Sequence, residues 1–359
     1  LNQFGSLIKT GIDSGEYDRG KLKRRSTRPE PYLTPLQLLW GQTELKGSPS
    51  VYPLDRTTSL PFAGIYLQRN PAKDEKKEDG LMAFVGGGHY VHGHASGMNI
   101  ELYGKGEVLG VDGGVGQYRT DIHENYYRLF AAHNTVISNG ASASRGGWVG
   151  LGINKLELVA MEPMPREAAI SSNYSFSTTR FFDEFNLVAP ALHERTLAVV
   201  RTSENTGYYV DIFRAKSGAE NPFHDYIYRN IGESLDIRGA TGALAFGGDD
   251  GRFANNASLP WEQNRSYRHP GWHFFEHVQI SEQYDDPVEA DFTAIEAGPN
   301  GLGMHLFVNG GPNRSYASVL SPPVNRLSPL LAYADKKTPT LVVRQEGNAW
   351  THPFVTAFE

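Results

Sequence analysis

The sequence contains no cysteine, which excludes disulfide bonds and thiol chemistry. It also lacks any apolar run near the roughly 18 residues that a transmembrane helix requires. Lys and Arg number 34 against 40 Asp and Glu, giving a net charge of −6. This acidic balance argues against binding a phosphate backbone, which needs a basic surface. It does not exclude an acidic polysaccharide, because a local basic cleft can form on a mildly acidic protein.

Several catalytic motifs are missing as well. The chain has no Gly-x-Ser-x-Gly elbow, which argues against a serine hydrolase of that type. It has neither a Walker-type phosphate loop nor a Rossmann fingerprint, and its glycine-rich stretch at 86–93 lies among strand-like runs.

Short strand-like runs separated by Gly, Asn, Pro and Ser turns dominate the chain. Their spacing predicts an all-β fold, either an antiparallel β-sandwich or stacked antiparallel sheets. The runs are 81–85, 98–103, 134–138, 155–161, 174–182, 195–202, 207–213, 224–229, 243–247, 273–280, 303–308, 316–320 and 340–344.

The first 54 residues differ from the rest, being polar and basic with KLKRR at 21–25. A short helix is predicted over 34–41, with Thr34 as N-cap, Pro35 at the first helical position and Gly41 past the end. We therefore predict a linker over 1–54 and one β domain over 55–359. The chain starts at Leu1 without a signal peptide, which predicts a removed leader or a fragment of a longer protein. The lack of cysteine suits a secreted or periplasmic bacterial protein.

The segment 92–133 carries the strongest functional signal. His92 and His94 form a His-x-His pair, Asp112 follows eighteen residues later, and His133 comes twenty-one residues after that. Alternate residues of a strand share a face, so the two histidines of the pair are expected to point the same way. A carboxylate and a third imidazole from neighbouring strands would complete a cluster that suits zinc or a similar ion. The simpler alternative is a set of histidines satisfied in the core or on the surface.

Several further residues are candidates for binding a substrate. Tyr126 is one, although an adjacent tyrosine pair on an extended chain points in opposite directions, so one of the two is expected in the core. Arg128 has the planar fork that matches a substrate carboxylate, and pairing with Asp121 or Glu124 is the alternative.

Three weaker candidates lie in glycine-rich or polar contexts. His89 follows three glycines, so a loop position is expected, with contact to a cleft as the functional alternative. Trp148, flanked by glycines, can stack on a sugar ring or pack in the core. Asn134 adjoins His133 and is able to bond either the backbone or a substrate.

The string HGHASGMNIELYGKGEVLGVDGG…QY…YYRLFAAHNTV resembles the heparinase II/III-like polysaccharide lyases, a group that includes heparin and heparan lyases and several alginate lyases. The resemblance covers about residues 80–140. It implies a helical (α/α) toroid followed by an antiparallel β domain, with the substrate cleft between them. This chain has no room for the toroid, so we expect the β half of such an enzyme, separated by truncation, by proteolysis or as a second polypeptide. The remaining catalytic residues are then expected on a helical partner domain or chain.

The resemblance also implies roles for particular residues. The implied reaction is β-elimination at a 4-O-linked uronic acid. His92 is then expected near the uronate, where it neutralises charge or moves a proton, and Tyr118 at the sugar as proton donor or hydrogen-bond partner. A half-buried loop aromatic is the alternative for Tyr118. The resemblance places zinc, or another divalent ion, on His94, Asp112 and His133, mainly in a structural role.

The substrate and the class of protein stay partly open at this point. We expect alginate first, since no sulfate-recognition cluster is evident, and heparan-type glycosaminoglycan next. A non-catalytic carbohydrate-binding or structural β module is the main alternative. A cupin-like metal oxygenase fits less well, because it needs a glutamate soon after the second histidine, where Asn99 stands and Glu101 comes too late.

Overall fold

The computed structural model describes residues 55–70, 80–87, 94–141, 156–184, 186, 188–240, 242–254, 270–297, 300–325 and 328–359. The chain divides after Leu54, and all of these ranges belong to the unit Asp55–Glu359. The linker predicted over 1–54, with its helix at 34–41, lies outside the described residues. Within the ranges given, no helix has the length and apolar character needed to cross a membrane.

In the described residues the strands form three antiparallel sheets, which confirms the predicted all-β fold of stacked antiparallel sheets. The five-stranded sheet runs in chain order, β1-β2-β3-β4-β5. Its strands are β1 (Thr57–Leu60), β2 (Ile65–Asn70), β3 (Leu81–Gly86), β4 (Asn99–Gly104) and β5 (Glu107–Gly110).

The second sheet has nine strands in the order β13-β12-β16-β17-β20-β10-β9-β8-β7. Its strands are β7 (Glu157–Glu162), β8 (Tyr174–Asp183), β9 (Ala191–Arg201), β10 (Gly207–Ser217), β12 (Ser234–Gly239), β13 (Gly242–Ala243), β16 (Val288–Ala294), β17 (Leu302–Val308) and β20 (Ala349–Phe358). Alternate residues of β8 and β9 are buried, as expected of strands with one face in the core. The buried face contacts β2 and β3 of the five-stranded sheet.

The third sheet has six strands in the order β14-β15-β18-β19-β11-β6. Its strands are β6 (Val136–Ser138), β11 (Phe223–Arg229), β14 (Phe246–Gly247), β15 (Glu276–Ser281), β18 (Arg314–Ser321) and β19 (Thr338–Glu346). β6 contacts β10, so this sheet also packs on the nine-stranded sheet. Short helical segments are the π-helix His123–Tyr127 and the 3-10 turns Phe130–Ala132, Trp272–Phe274 and Leu331–Tyr333.

A fully buried ion pair ties the three sheets together. Arg195 on β9 donates from Nε to Asp211 Oδ1 (2.8 Å) and from Nη2 to Asp211 Oδ2 (2.5 Å), and neither side chain is exposed. Tyr226 of the six-stranded sheet donates its hydroxyl to Asp211 Oδ2 at 2.9 Å. Arg195 Nη1 donates to the carbonyls of Met98, just before β4, and of Asn134, just before β6. The ion pair is bidentate, and Arg195 Nη1 and Asp211 Oδ2 make further hydrogen bonds. This geometry offsets the free-energy cost of removing two charges from water.

A second buried polar cluster joins β9 to the six-stranded sheet. Ser138 Oγ lies 2.7 Å from His193 Nε2 and 2.7 Å from His224 Nδ1, and all three side chains are fully buried. Burial, followed by the neighbouring His224, lowers the pKa of His193 to about 3. Burial lowers the pKa of His224 to about 4. Both imidazoles are therefore neutral at pH 7, and the hydroxyl bridges them.

The cluster predicts a loss of stability in mild acid. The folded-state pKa values lie below the unfolded value near 6.5, so the unfolded chain binds more protons once the pH falls below that value. Each histidine should lower the free energy of unfolding by about 2 kcal/mol between pH 7 and pH 5. Urea unfolding of wild type and His224→Gln at both pH values measures this, and the variant should lose about 2 kcal/mol less. His352→Gln, at an exposed histidine, is the matched control. Equal losses in wild type and His224→Gln would contradict the prediction.

Candidate functional site

The structure brings the three predicted metal ligands into one neighbourhood. His94 precedes β4, Asp112 follows β5 by two residues, and His133 follows the 3-10 turn Phe130–Ala132. The rings of His94 and His133 lie 5.5 Å apart between centroids. The fold alone brings the two histidines together, since they lie 39 positions apart in the sequence with two strands between them.

Asp112 and His133 form the most direct contact of the cluster. His133 Nδ1 lies 2.6 Å from Asp112 Oδ1, which also accepts the backbone N–H of Gly113 at 2.6 Å. Burial alone raises the pKa of the Asp112 carboxyl, but His133, His94 and the Gly113 N–H outweigh it and hold that pKa at about 2. The glycine is required here, because a Cβ at Gly113 would stand 2.0 Å from the Ala132 carbonyl oxygen. The turn at Asp112–Gly113 therefore packs directly against the backbone of Ala132, the residue before His133.

His94 and His133 both offer imidazole nitrogens suited to a metal. Burial, and then the charge of His133, lowers the pKa of His94 to about 3, so its ring is neutral at pH 7. With Nδ1 of His133 engaged by Asp112, its Nε2 is buried without a hydrogen-bond partner. A buried nitrogen without a partner is costly and points to a ligand at that position.

The structure brings His123 and the predicted Tyr118 to the cluster. The His123 ring lies 6.2 Å from that of His94 and 4.8 Å from that of Tyr118, in edge-to-face contact with both. Tyr118 is 58 % exposed, whereas both His123 nitrogens are buried without a partner. Burial lowers the pKa of His123. The sequence DIHEN predicts a polar loop from which His123 approaches the cleft as a weaker candidate, whereas the chain forms a π-helix there, an element often found at functional sites.

Glu101 is a residue that the sequence did not assign to this site. Burial, followed by the charge of Asp112, raises the pKa of Glu101 to about 7. Ile100 and Leu102 on either side are fully buried, so Glu101 lies on the opposite face of β4. A carboxyl that titrates near neutral pH beside charged neighbours is a frequent mark of functional sites. The sequence signal for Glu101 was a single glutamate within the otherwise mostly apolar strand β4.

Arg128 lies beside the cluster but is held by the chain itself. Its Nη1 donates to Glu124 Oε2 at 2.7 Å, and its side chain is only 4 % exposed. This is the alternative pairing that the sequence left open. The Arg128 carbonyl accepts the backbone N–H of Ala95 at 2.7 Å, which fixes the residue after His94.

Tyr126 does not have the predicted substrate-binding role. It is fully buried, with its ring 5.1 Å from that of Tyr127 and 5.9 Å from that of Phe274. Tyr127 is 1 % exposed, so both tyrosines pack in the core, contrary to the expectation for an extended chain. The reason is the π-helix, which does not alternate side chains as a strand does.

Asn134 is likewise fully buried, so the structure favours the backbone-bonding alternative for this residue over contact with a substrate. Its Nδ2 donates to the carbonyls of Ile100 (3.2 Å) and Val111 (2.9 Å), and its Oδ1 accepts the backbone N–H of Arg229 (2.8 Å). Its backbone N–H donates to Asn99 Oδ1 at 2.8 Å. Asn134 therefore links β4, β11 and the residue after β5, and it fixes the backbone next to His133.

Three predicted site residues, His92, His89 and Trp148, lie outside the described residues. Their predicted roles stay predictions.

The described side chains fit a zinc ion in part. No group of three or more His, Cys, Asp or Glu side chains within the described ranges is arranged to hold a metal. The prediction made Asp112 the third metal ligand beside His94 and His133. In the structure its carboxylate is instead hydrogen-bonded to His133 Nδ1. The donor chemistry nevertheless suits zinc, because His94 is neutral and His133 Nε2 has no partner. A carboxylate bonded to the far nitrogen of a histidine is the usual support of a metal-binding imidazole.

Residues 81–220 match the family described as heparinase II/III-like, C-terminal. An endo-acting ulvan lyase from Formosa agariphila is 38% identical to this chain over 335 residues. The match covers 90% of this chain but 39% of that protein, so the chain spans about two fifths of this curated relative.

Two solved structures resemble this fold at low sequence identity. One is a heparinase III, the BT4657 gene product, with a TM-score of 0.48 and 14% identity over 87% of this chain and 36% of that chain. The other is the heparan sulfate lyase HepC from Pedobacter heparinus, with a TM-score of 0.45 and 16% identity over 87% of this chain and 37% of that chain.

Proposed function

We propose that this chain is part of a polysaccharide lyase, because residues 81–220 match the heparinase II/III-like C-terminal family. The observation that carries the proposal is a single cluster in which exposed Tyr118 lies against His123, which neighbours His94 and the Asp112–His133 pair. The 38% identity to an endo-acting ulvan lyase supports the same class of reaction.

We propose ulvan as the first substrate to test. The support is the identity to the ulvan lyase over 90% of this chain. The sequence alone favoured alginate and then heparan-type glycosaminoglycan, and both belong in the same test as competitors.

The proposed reaction is β-elimination at a 4-O-linked uronate. A base removes the C5 proton, the C4–O4 bond breaks, a C4=C5 double bond forms, and O4 leaves with a proton. Tyr118 is the described residue best placed to exchange a proton with the sugar, because its side chain is 58 % exposed beside His123. His92 is proposed, by resemblance, to offset the charge of the uronate. The enediolate that develops as the C5 proton leaves needs such nearby positive charge.

We propose that His94 and His133 hold a zinc ion and that Asp112 orients His133 through its Nδ1 atom. When bound, zinc would fix the segments before β4 and before β6 relative to each other. This is a mainly structural role, because residues on both segments adjoin the cluster. Asp112, with its pKa at about 2, stays ionised throughout the neutral range and keeps the His133 ring in one orientation.

The wider setting of the chain is part of the proposal. Long polysaccharides such as the proposed substrate ulvan are degraded outside the cytoplasm. We therefore propose a secreted or periplasmic location. The chain spans 39% of its ulvan lyase relative, and we propose that a helical toroid domain or chain supplies further residues of the cleft.

Ultraviolet absorbance of the unsaturated product tests the function directly. Ulvan, heparan sulfate and alginate are each incubated with the purified chain, alone and together with the proposed helical toroid domain or chain. We expect turnover of ulvan that falls at least about 100-fold in Tyr118→Phe, which keeps the ring but loses the hydroxyl. Tyr333→Phe, at a tyrosine bonded to Glu233 away from the cluster, is the control. Unchanged turnover in Tyr118→Phe would remove this tyrosine from the mechanism. No product from any polymer, with or without the proposed helical partner, would overturn the lyase proposal.

A further inference from the structure

We propose that the solvent-facing side of the nine-stranded sheet carries a separate binding platform for an extended anionic polysaccharide, built on Phe182, Lys216 and Trp350. It rests on the proposed function only for the choice of ligand. The platform lies on strands β8, β9, β10 and β20, which are neighbours in the sheet.

The platform is a row of side chains that crosses four strands. Phe182 on β8 pairs with Leu192 on β9, which pairs with Lys216 on β10. Paired residues of antiparallel strands share a face. Lys216 Nζ lies 4.4 Å from the centroid of the Trp350 ring on β20, which continues the row.

This row lies on the face opposite to the core. Phe181, Ala215 and Ala349, the neighbours of the row residues along their strands, are buried, so the row itself points outward. Phe182 is 53 % exposed, a large fraction for a phenylalanine on a sheet, and Lys216 is exposed as well. An exposed aromatic ring with a basic side chain on the same face offers a contact surface for a ligand that has both apolar and anionic parts.

A second row beside the first adds positive charge. Arg180, Glu194 and Arg214 pair across β8, β9 and β10 two residues along the strands. Arg180 bonds Glu194 at 2.7 Å, which leaves Arg214 and Lys216 as cations without an ion pair to any described carboxylate. The chain carries a net charge of −6, so a local excess of cations next to the exposed Phe182 ring is a specific feature of this face.

The dimensions of the row suit a polymer. Strands lie about 4.8 Å apart, so the row from Phe182 to Trp350 spans about 14 Å over three strand spacings. That length exceeds one sugar ring, and the cations beside the row would meet carboxylate or sulfate groups along the chain. Aromatic faces would contact the apolar faces of sugar rings, which makes an extended anionic polysaccharide the ligand that matches both features.

Strand β17, which neighbours β20 in the same sheet, provides a natural control. Phe307 on β17 is 46 % exposed, close to the value for Phe182, but it pairs with Glu289 on β16. Its neighbour two residues away, His305, pairs with Asp291. Both carboxylates form ion pairs with Arg238 on β12, so this part of the face has no excess of cations to attract an anionic polymer.

Binding is measured by affinity electrophoresis and calorimetry with ulvan and with alginate, a polyuronate, and with uncharged dextran as the neutral probe. All variants carry His133→Ala, so that cleavage of the polymer during the measurement is at least about 100-fold slower. We expect Phe182→Ala and Lys216→Glu each to weaken binding to the anionic polymers about tenfold. Phe307→Ala should leave binding unchanged, and dextran should not bind. Binding should weaken as salt rises, because the cations are exposed.

The outcomes separate this proposal from the lyase proposal. Unchanged binding in both Phe182→Ala and Lys216→Glu would overturn the platform even if the enzyme is active. In the active background, the same two variants should raise KM for the polymer and leave kcat unchanged, whereas loss of kcat would overturn a purely binding role. Binding without any turnover, with or without the proposed helical partner, would overturn the lyase proposal and leave the platform standing.

Discussion

Replacement of Asp211 by alanine is expected to lower the free energy of unfolding by about 3–5 kcal/mol. The variant leaves the fully buried Arg195 guanidinium without its bidentate carboxylate partner, and it also removes the acceptor of the Tyr226 hydroxyl. An uncompensated buried charge is among the most costly changes a core can suffer. Since domains are typically stable by 5–15 kcal/mol, this loss takes up a large part of the total. Urea unfolding followed by circular dichroism gives the value.

The matched control is Glu194, which lies next to Arg195 on β9 with its side chain on the opposite face. Glu194 pairs with Arg180 at 2.7 Å, but Arg180 is 38 % exposed. Glu194→Ala should therefore cost less than about 1 kcal/mol, since exposed ion pairs contribute little. If Asp211→Ala costs no more than Glu194→Ala, the buried pair does not hold the three sheets together as argued.

Loss of His133 is expected to remove bound zinc and to reduce turnover of ulvan at least about 100-fold. His133→Ala deletes the imidazole whose Nε2 is buried without a partner. Asp112→Asn keeps the shape of the side chain but loses the charge that orients His133, and it should lower zinc affinity about 10–100-fold. Zinc per chain is measured by elemental mass spectrometry, and turnover by the absorbance of the unsaturated product.

His305 provides a matched control for this site, because its Nδ1 also bonds an aspartate, Asp291, but in a partly exposed pair on the nine-stranded sheet. His305→Ala should leave zinc content and turnover unchanged. If the proposed zinc is structural, its removal by a chelator should also lower the temperature of unfolding of wild type and leave that of His133→Ala unaffected. Equal zinc content in wild type and His133→Ala would overturn the site assignment.

The strands could be predicted wherever apolar residues dominate, and they were missed where polar residues or proline dilute the pattern. β16, which reads VEADFTA, is a strand that the predicted runs do not include. Acidic and apolar residues alternate in it, so that Val288, Ala290 and Phe292 lie in the core and the acids point outward. β20 contains Pro353, which argues against a central strand in a sequence. The structure accommodates it where the register between β10 and β20 shifts, between Phe213 and Ala215, so that the ladder is interrupted there.

The chemistry of the site followed from residue types, but its contacts did not. His94, Asp112 and His133 were predicted to meet, and the structure places them together; the hydrogen bond between Asp112 and His133 required knowledge of the Gly113 turn. Asn134 shows the converse. A polar residue next to a presumed ligand suggested substrate contact, and only the packing of three segments around it turned it into a buried bridge.

The sequence by itself determined the all-β class, because side-chain alternation is a local property that each short strand carries. It also determined which residues bear chemistry, since His, Asp and Tyr have fixed donor and acceptor groups. Tertiary structure alone decided which candidates are exposed, as in the contrast between Tyr118 and the buried Tyr126. It also decided the pKa values of His94 and Glu101, because burial and neighbouring charges come from segments that are distant along the chain.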